Sequence, residues 1–291
     1  MIADFEYFAP KTVKKALSLL SQYREKAKII AGGQSMLIVM KQGLLTPEYL
    51  IDIKGIAALE YIKYDDGKGL RIGALTLHRA IEKSPIIQKH FKVLSVMERN
   101  LATIQTRNWG MIGGNLCHGD PAGDPAPVFI ALKAKLKLAS LGGERTVDTE
   151  EFFKDYLEVV LEPDEMLTEI QVPTLPPRTG TGYEKLMVMK GDMGIIGTAV
   201  SITLGGTDSV CKDARIVLGN AASVPLRVKE AEKVLIGKTI NEGLLTEAGD
   251  IASREADPPS DVHGSAEYRR EMVKVFVKRV ARMAVERAKA A

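Results

Sequence analysis

Two glycine-rich segments of this sequence have the residue types and spacing that suit binding of an anionic ligand. In the first, the apolar run 27–31 leads into Gly32-Gly33-Gln34-Ser35, and residues 36–40 then have helical composition. Glycines let the backbone approach an anion, and a helix N-terminus adds free N–H groups with partial positive charge. An ordinary strand-to-helix turn capped by Ser35 explains this loop equally well when it is taken alone. The motif also differs from the GxGxxG dinucleotide fingerprint.

The second glycine-rich segment makes ligand binding a better explanation than an ordinary turn for both segments. Residues 106–115 read TRNWGMIGGN, which offers backbone amides, the Asn115 side chain and the guanidinium of Arg107. We predict a long loop over 104–124, and loops of this length inside compact domains are usually functional. Asp124 can accept hydrogen bonds from a ligand hydroxyl or ring N–H, or it can cap a turn. Two amide-rich loops together suit a diphosphate, whose charge lies on two phosphorus centres.

The elements around these loops predict two domains. The first 55 residues read as helix, strand, helix and strand, with Thr12 as a helix N-cap. A strand at 70–73, helices over 76–101 and 125–132, a hairpin over 134–148 and a strand at 167–172 follow. Residues 173–182, PTLPPRTGTG, read as a linker. We therefore predict domains at 1–176, with subdomains of about 1–55 and 56–176, and at 177–291. Three strands and three helices are expected in the second domain.

Composition excludes several classes of protein. The formal net charge is +3, from 40 basic and 37 acidic residues, which is too balanced for a nucleic-acid-binding face. We expect no membrane span and no signal peptide, since no apolar run is long enough and the N-terminus lacks a basic start. Two cysteines and four histidines, scattered without ligand spacing, do not suit an iron–sulfur or structural zinc site. Any redox chemistry therefore needs an organic cofactor, and the expected location is the cytoplasm.

Three stretches together carry a family resemblance that covers essentially the whole chain. IIAGGQSMLIVMKQG, NWGMIGGNLCHGDPAGDPAP and DEMLTEIQVP resemble the FAD-binding medium subunit of the molybdenum hydroxylases, the group of aerobic carbon monoxide dehydrogenase and xanthine dehydrogenase. The resemblance implies an α+β fold. Its first part is a two-subdomain α/β FAD-binding domain of the PCMH/VAO type, and its second part is a three-stranded sheet with helices.

The resemblance also implies which residues contact FAD. The first diphosphate loop falls on residues 31–35 and the second on residues 111–115. Leu167 would give a backbone contact to the flavin ring, and the charge of Lys185 would stabilise the reduced, anionic ring. The full set of predicted FAD contacts is Ile30, Ala31, Gly32, Gly33, Gln34, Ser35, Met111, Ile112, Gly113, Gly114, Asn115, Asp124, Leu167 and Lys185.

The sequence departs from the family pattern at two positions. Met111 stands where relatives have Thr or Ser, which removes one hydroxyl contact to phosphate, and Met193 stands where some relatives place an aromatic residue. Other residues are weaker candidates. Trp109 is expected in the core, Cys117-His118 is not a working dyad, and His78 at a helix start is expected to be solvated.

By this resemblance the chain is an electron-transfer subunit with no catalytic acid or base of its own. A large partner subunit would hold the molybdenum–pterin cofactor, and a small partner would hold [2Fe–2S] clusters. Electrons would reach FAD here and leave to NAD, a quinone or a ferredoxin. Two alternatives stay open: a self-contained flavin-dependent oxidase or dehydrogenase, and a scaffold protein that has lost its cofactor.

Overall fold

The fold consists of three main sheets with helices packed on them. The computed structural model describes residues 2–206 and 209–291. None of the helices in these two ranges has the length and hydropathy needed to cross a membrane.

The first sheet is small and parallel. Its strands are β1 (Glu6–Phe8), β2 (Ala27–Ile30) and β3 (Tyr49–Asp52), in the order β1-β3-β2. Helix α1 (Val13–Tyr23) connects β1 to β2, and the side chain of Thr12 caps it as predicted, by accepting from the Lys15 N–H. Helix α2 (Met36–Lys41) follows β2. The first glycine loop therefore lies at the carboxyl end of β2, between a strand and a helix.

The second sheet is antiparallel and has five strands. It contains β4 (Ile62–Asp65), β5 (Gly69–Gly73), β6 (Lys135–Ser140), β7 (Gly143–Asp148) and β10 (Met166–Val172), in the order β4-β5-β10-β6-β7. Strands β6 and β7 form the predicted hairpin. A separate two-stranded ribbon is formed by β8 (Phe153–Asp155) and β9 (Glu158–Val159).

Six helices connect β5 to β6 along the chain. They are α3 (His78–Lys83), α4 (Pro85–His90), α5 (Lys92–Asn100), α6 (Ile104–Trp109), α7 (Ile112–His118) and α8 (Pro125–Ala131). The prediction of a continuous loop over 104–124 was wrong, because α6 and α7 occupy most of it. Their glycines allow close packing rather than turns: a Cβ on Gly113 would lie 2.7 Å from the Ala74 carbonyl oxygen. Gly119, with φ +67°, is where α7 ends.

The segment predicted as a linker is shorter than expected. Strand β11 (Thr179–Leu186) already includes Gly180 and Gly182, which we had assigned to the linker. Helix α11 (Ala266–Ala290) crosses this strand so closely that a Cβ on Gly180 would lie 1.9 Å from the Ala284 carbonyl oxygen. These glycines therefore serve helix-on-strand packing and do not interrupt the strand.

The last sheet is antiparallel, in the order β11-β12-β13-β14. Strands β12 (Ile196–Gly205) and β13 (Val210–Gly219) correspond to predicted strands, whereas β14 (Leu226–Arg227) is a two-residue addition to the expected three. Helices α9 (Lys229–Leu235), α10 (Glu242–Glu255) and α11 agree with the three predicted helices. Buried apolar residues of this sheet, including Tyr183, Ala199 and Val217, join the largest core cluster together with residues of α5, α8 and the five-stranded sheet. The last sheet thus packs directly on the preceding part of the chain.

Candidate functional site

One deep cleft collects the residues predicted from the sequence. Its volume is about 640 Å³, within the range of roughly 300–1,000 Å³ that is typical of small-molecule and cofactor sites. Every predicted contact residue except Ile112 lines it. Ile112 is fully buried, and its backbone N–H donates to the Thr76 carbonyl, so it supports the wall of the cleft from behind.

The first glycine loop presents unpaired backbone donors. The N–H groups of Gly33, Gln34 and Ser35 bond to no other atom in the described ranges. Ser35 precedes α2, but its hydroxyl makes no capping bond, which removes the capping explanation for this residue. The Gln34 side chain folds back and donates to the Gly32 carbonyl at 2.9 Å. Three consecutive free donors beside a free hydroxyl suit an anionic group.

The two loops are in direct contact. A Cβ on Gly32 would lie 2.2 Å from the carbonyl oxygen of Trp109, so only glycine permits this approach. Gly113 packs on Ala74 and donates its N–H to the Ala74 carbonyl at 2.9 Å, so that N–H is not available to a ligand. Gly114 is different, because the nearest atom to a Cβ there would be 3.8 Å away, on Ala31. The space at Gly114 is therefore open toward the cleft.

Met111 begins the second loop without a hydroxyl. It is the N-cap of α7 and makes no side-chain capping bond, and its backbone forms an isolated bridge with Leu77. Asn115 lies on α7 and lines the cleft. Arg107, which we had expected near the phosphates, is buried away from the cleft. It donates to Glu82 and to the carbonyls of residues 101 and 102.

A buried ion pair lies elsewhere on the wall of the cleft. Lys185 of β11 donates from Nζ to Oδ2 of Asp124 at 2.8 Å and to the Asp192 carbonyl at 3.0 Å. The Tyr183 hydroxyl donates to Oδ1 of the same aspartate. Burial raises the pKa of Asp124, against the opposing effect of Lys185 and Tyr183. An ammonium group has three donors, so Lys185 retains one for a ligand.

Leu167 lies on β10 at an irregularity of the ladder. The pairing of β10 with β6 shifts between Leu167 and Glu169, and such a bulge disturbs backbone hydrogen bonding locally. The Leu167 side chain is buried, and the residue lines the cleft beside Met166. The predicted backbone contact to the flavin ring is compatible with this position.

The structure also shows where three residues near the predicted contacts lie: Trp109, Met193 and Cys117. Trp109 is 64% exposed, so it is not a core anchor; only its carbonyl packs into the site, against Gly32. Met193 is exposed and lines the cleft, where its thioether is available to a ligand. Cys117 also lines the cleft, and burial raises its pKa to about 12, so the thiol stays protonated at neutral pH.

Sequence reasoning missed one buried pair altogether. His78 was expected in solvent, but it is 2% exposed, lines the cleft and places Nδ1 at 2.9 Å from a carboxylate oxygen of Glu98. A signal for Glu98 was present in the sequence: it lies four residues after Leu94 and three before Leu101, on the apolar side of an amphipathic helix.

The residues of the cleft fit FAD. The free donors of residues 33–35 and the open space at Gly114 suit its diphosphate, and the Lys185–Asp124 pair supplies polar partners within the same cleft. In the described part of the chain, no group of three or more His, Cys, Asp or Glu residues is arranged to hold a metal ion.

Comparison with known proteins gives the same assignment. The sequence profile described as the FAD binding domain in molybdopterin dehydrogenase matches residues 3–175, and that described as the CO dehydrogenase flavoprotein C-terminal domain matches residues 181–284. The carbon monoxide dehydrogenase medium chain of Hydrogenophaga pseudoflava is 37% identical over 94% of this chain and 95% of its own length. The glyceraldehyde dehydrogenase medium chain of Sulfolobus acidocaldarius is 34% identical over 94% of this chain and 95% of its own.

Solved structures agree in fold. A chain of carbon monoxide dehydrogenase from Hydrogenophaga pseudoflava superposes with a TM-score of 0.94 at 38% identity, covering 99% of both chains. A chain of quinoline 2-oxidoreductase from Pseudomonas putida 86 gives a TM-score of 0.92 at 29% identity, covering 99% of both chains. The chain therefore belongs to the FAD-binding medium subunits of the molybdenum hydroxylases, and it is an FAD-dependent oxidoreductase subunit.

Proposed function

We propose that this chain receives electrons from [2Fe–2S] clusters of a small partner subunit and delivers them to an external acceptor. A large partner subunit with a molybdenum–pterin site would oxidise the substrate. FAD, when bound, supplies redox chemistry that can exchange electrons with both one-electron and two-electron partners. The observation that carries the proposal is the combination of a cleft lined by the predicted FAD-contact residues with full-length similarity to proteins named as medium chains of such dehydrogenases.

Each part of the cleft has a separate task in this proposal. The loop at residues 31–35 and Gly114 hold the diphosphate, Asp124 accepts hydrogen bonds from ribityl or ring groups, and Lys185 provides positive charge near the ring. Because Lys185 is already paired with Asp124, its charge is partly compensated before the cofactor binds. The Lys185–Asp124 pair therefore stabilises a negative charge on the nearby flavin ring less strongly than an unpaired lysine would.

The substrate of the complex is not determined by this subunit. Relatives at 34–37% identity are named for carbon monoxide, glyceraldehyde and nicotine. A similar medium chain thus accompanies very different substrates, as expected if the substrate site lies on the large subunit. The acceptor stays open among NAD, a quinone and a ferredoxin, and we place the complex in the cytoplasm, where the free thiols of Cys117 and Cys211 would remain reduced.

A native pull-down with the tagged chain tests this proposal. We expect co-purification of two further subunits, with FAD, molybdenum and iron in the same particle. Under anaerobic conditions, a substrate of the complex should bleach the flavin absorbance of the whole particle but not that of the isolated chain loaded with FAD. Supplying NAD, a quinone or a ferredoxin to the reduced particle then identifies the acceptor.

Two results would contradict the proposal. Substrate oxidation by the isolated FAD-loaded chain would support a self-contained flavin dehydrogenase instead. A complex that is active although the chain neither contains nor takes up FAD would support the scaffold alternative.

A further inference from the structure

A second buried polar pair faces the cleft and has no role in the electron route proposed above. His78 is the first residue of α3, and Glu98 lies on α5 with no exposed surface. The Nδ1 atom of His78 is 2.9 Å and 3.1 Å from the two carboxylate oxygens. In the described ranges, this carboxylate has no other hydrogen-bond partner. Burying a carboxylate with a single hydrogen-bond partner costs folding free energy. The presence of the Glu98 carboxylate beside a ligand cleft therefore suggests a function.

The imidazole lies where the two diphosphate loops meet. The His78 backbone N–H donates to the Gly110 carbonyl at 3.1 Å, immediately before the second loop. A Cβ on Gly110 would lie 3.0 Å from Cδ2 of His78 and 3.6 Å from Cγ of Gln34, which belongs to the first loop. The ring lines the cleft, and its Nε2 bonds to no atom of the described chain. One ring nitrogen is thus held by Glu98 and the other is free.

Two other basic side chains near His78 already have partners, whereas Lys28 and His118 also line the cleft. Lys185 is paired with Asp124, and Arg107 is paired with Glu82 outside the cleft. Burial raises the pKa of Glu98, although His78 acts in the opposite direction. The charged and titratable groups that interact with the pair are Arg107 on α6, Asp124 before α8 and Tyr183 on β11. Arg107 is itself paired with Glu82, and Asp124 with Lys185.

We propose that His78 donates a hydrogen bond from Nε2 to a phosphate oxygen of FAD, while Glu98 orients the ring by accepting from Nδ1. Only the imidazolium form donates from both nitrogens. A charge-assisted bond to phosphate is stronger than a neutral one. FAD binding therefore selects protonated His78, so the cofactor binds more tightly at pH values where this form is populated.

Two substitutions separate this role from a structural one. In His78→Asn, the amide nitrogen takes the place of Nδ1, so the bond to Glu98 is retained while the donor toward the cleft is lost. In His78→Gln, a neutral amide reaches toward the position of Nε2. Using the full-length chain stripped of FAD, we would measure the Kd for FAD by flavin fluorescence across the pH range in which histidines titrate.

For the unmodified chain, affinity should fall as the pH rises through this range, and calorimetry in buffers of different ionisation enthalpy should show proton uptake. His78→Asn should weaken FAD binding about tenfold or more below that range, as loss of a charged hydrogen bond predicts. His78→Gln should bind with a smaller loss and with a flattened pH profile. His263→Gln is the matched control, because its side chain is exposed in a loop outside the cleft.

Three outcomes would overturn the proposal: an affinity of the unmodified chain that does not fall with rising pH, an unchanged Kd in His78→Asn, or the pH profile of the unmodified chain retained in His78→Gln. Thermal melts establish that the apo variants are folded. If His78→Asn does not fold, the pH profile of His78→Gln decides the question by itself.

Discussion

Lys185 on β11 bonds Asp124 at the start of α8 across 2.8 Å, although 61 positions separate the two residues in the chain. Their side chains are 2% and 7% exposed. The bond joins the last sheet to the helical segment that carries the second glycine loop. The cleft wall therefore depends on a contact between the parts of the chain on either side of the predicted boundary near residue 176.

Breaking this buried pair should destabilise the chain strongly. Asp124→Ala leaves the Lys185 ammonium buried without its counter-charge, and removal of one partner of a buried pair costs about 3–5 kcal/mol. The free energy of unfolding of the apo chain in urea measures this. Glu48→Ala is the comparison: Glu48 also pairs with a lysine, Lys26, but both side chains are more than half exposed, so the lysine can return to water. A similar small loss in both variants would show that burial of the Lys185 pair does not matter.

Gly113 and Gly114 should respond differently to substitution by alanine. A Cβ at Gly113 would meet Ala74 at 2.7 Å, so Gly113→Ala should lower stability by about 1–3 kcal/mol through overpacking. A Cβ at Gly114 meets nothing closer than 3.8 Å, so Gly114→Ala should leave the apo chain as stable or slightly more stable. It should nevertheless weaken FAD binding, because the added methyl group occupies the open space. Thermal melts and FAD titrations of both variants check this, and full FAD affinity in Gly114→Ala would contradict it.

Because of Glu82, the stability of the chain should fall as the pH becomes acidic. Although burial works in the opposite direction, hydrogen bonds from Arg79 and Arg107 hold the pKa of Glu82 below its usual value of 4.5. A carboxyl group whose pKa is lower in the folded than in the unfolded state stabilises the fold at pH values above the unfolded-state pKa. This stabilisation is lost as the pH falls through the folded-state pKa. Glu82→Gln should therefore cost about 1–3 kcal/mol at neutral pH, and the difference should shrink below pH 4.5.

The control for this pH experiment is Glu230→Gln. Glu230 pairs with Lys233 on the surface, where both side chains are more than half exposed. Its substitution should change stability little at any pH. A difference between Glu82→Gln and the unmodified chain that does not vary with pH would refute the linkage to Glu82.

Arg269 should support the cleft from a distance. Its guanidinium is fully buried and donates to the Ile195 carbonyl at 2.7 Å and to Asp261 at 2.6 Å. Ile195 follows Gly194, on which the Lys185 side chain packs. Arg269→Met should cost about 3 kcal/mol or more, because it removes these two charged hydrogen bonds, of about 1.5–3 kcal/mol each, and a longer one to the Gly264 carbonyl at 3.4 Å. It should also weaken FAD binding by loosening the surroundings of Lys185.

Arg270→Met is the matched control on the same helix. Arg270 is 37% exposed, and its partner Asp257 is almost fully exposed, so the ion pair adds at most about 1 kcal/mol. Urea unfolding and FAD titration of both variants make the comparison. Equal losses for the two arginines would show that the buried contact to Ile195 has no special role.

Sequence pattern was sufficient for much of the fold, because its signals are local. The apolar spacing of α1 and its Thr12 cap, the β6–β7 hairpin and the last three helices were predicted close to their observed bounds. The two glycine loops were recognised as a pair, and the structure places them in contact. Their contacts with FAD and the domain limits at 1–176 and 177–291 stay predictions.

The errors in the bounds of loops and strands share one physical cause. Glycine was read as a chain breaker at 110, 113, 180 and 182, but tertiary packing uses it there to bring backbone or side-chain atoms close together. Propensity alone cannot distinguish a turn from a close crossing, because the neighbour that requires glycine lies far away in the sequence.

The sequence by itself predicted two amide-rich loops and, through the family resemblance, an aspartate and a lysine as parts of one FAD site, and the structure places all of them along one cleft. Only the tertiary structure decided how their charges are compensated. Lys185 is paired with Asp124, Arg107 is held outside the cleft by Glu82, and His78 is buried against Glu98 with one nitrogen free. These pairings link residues 20 to 61 positions apart, and burial gives them their energetic weight, so they follow from packing and not from spacing.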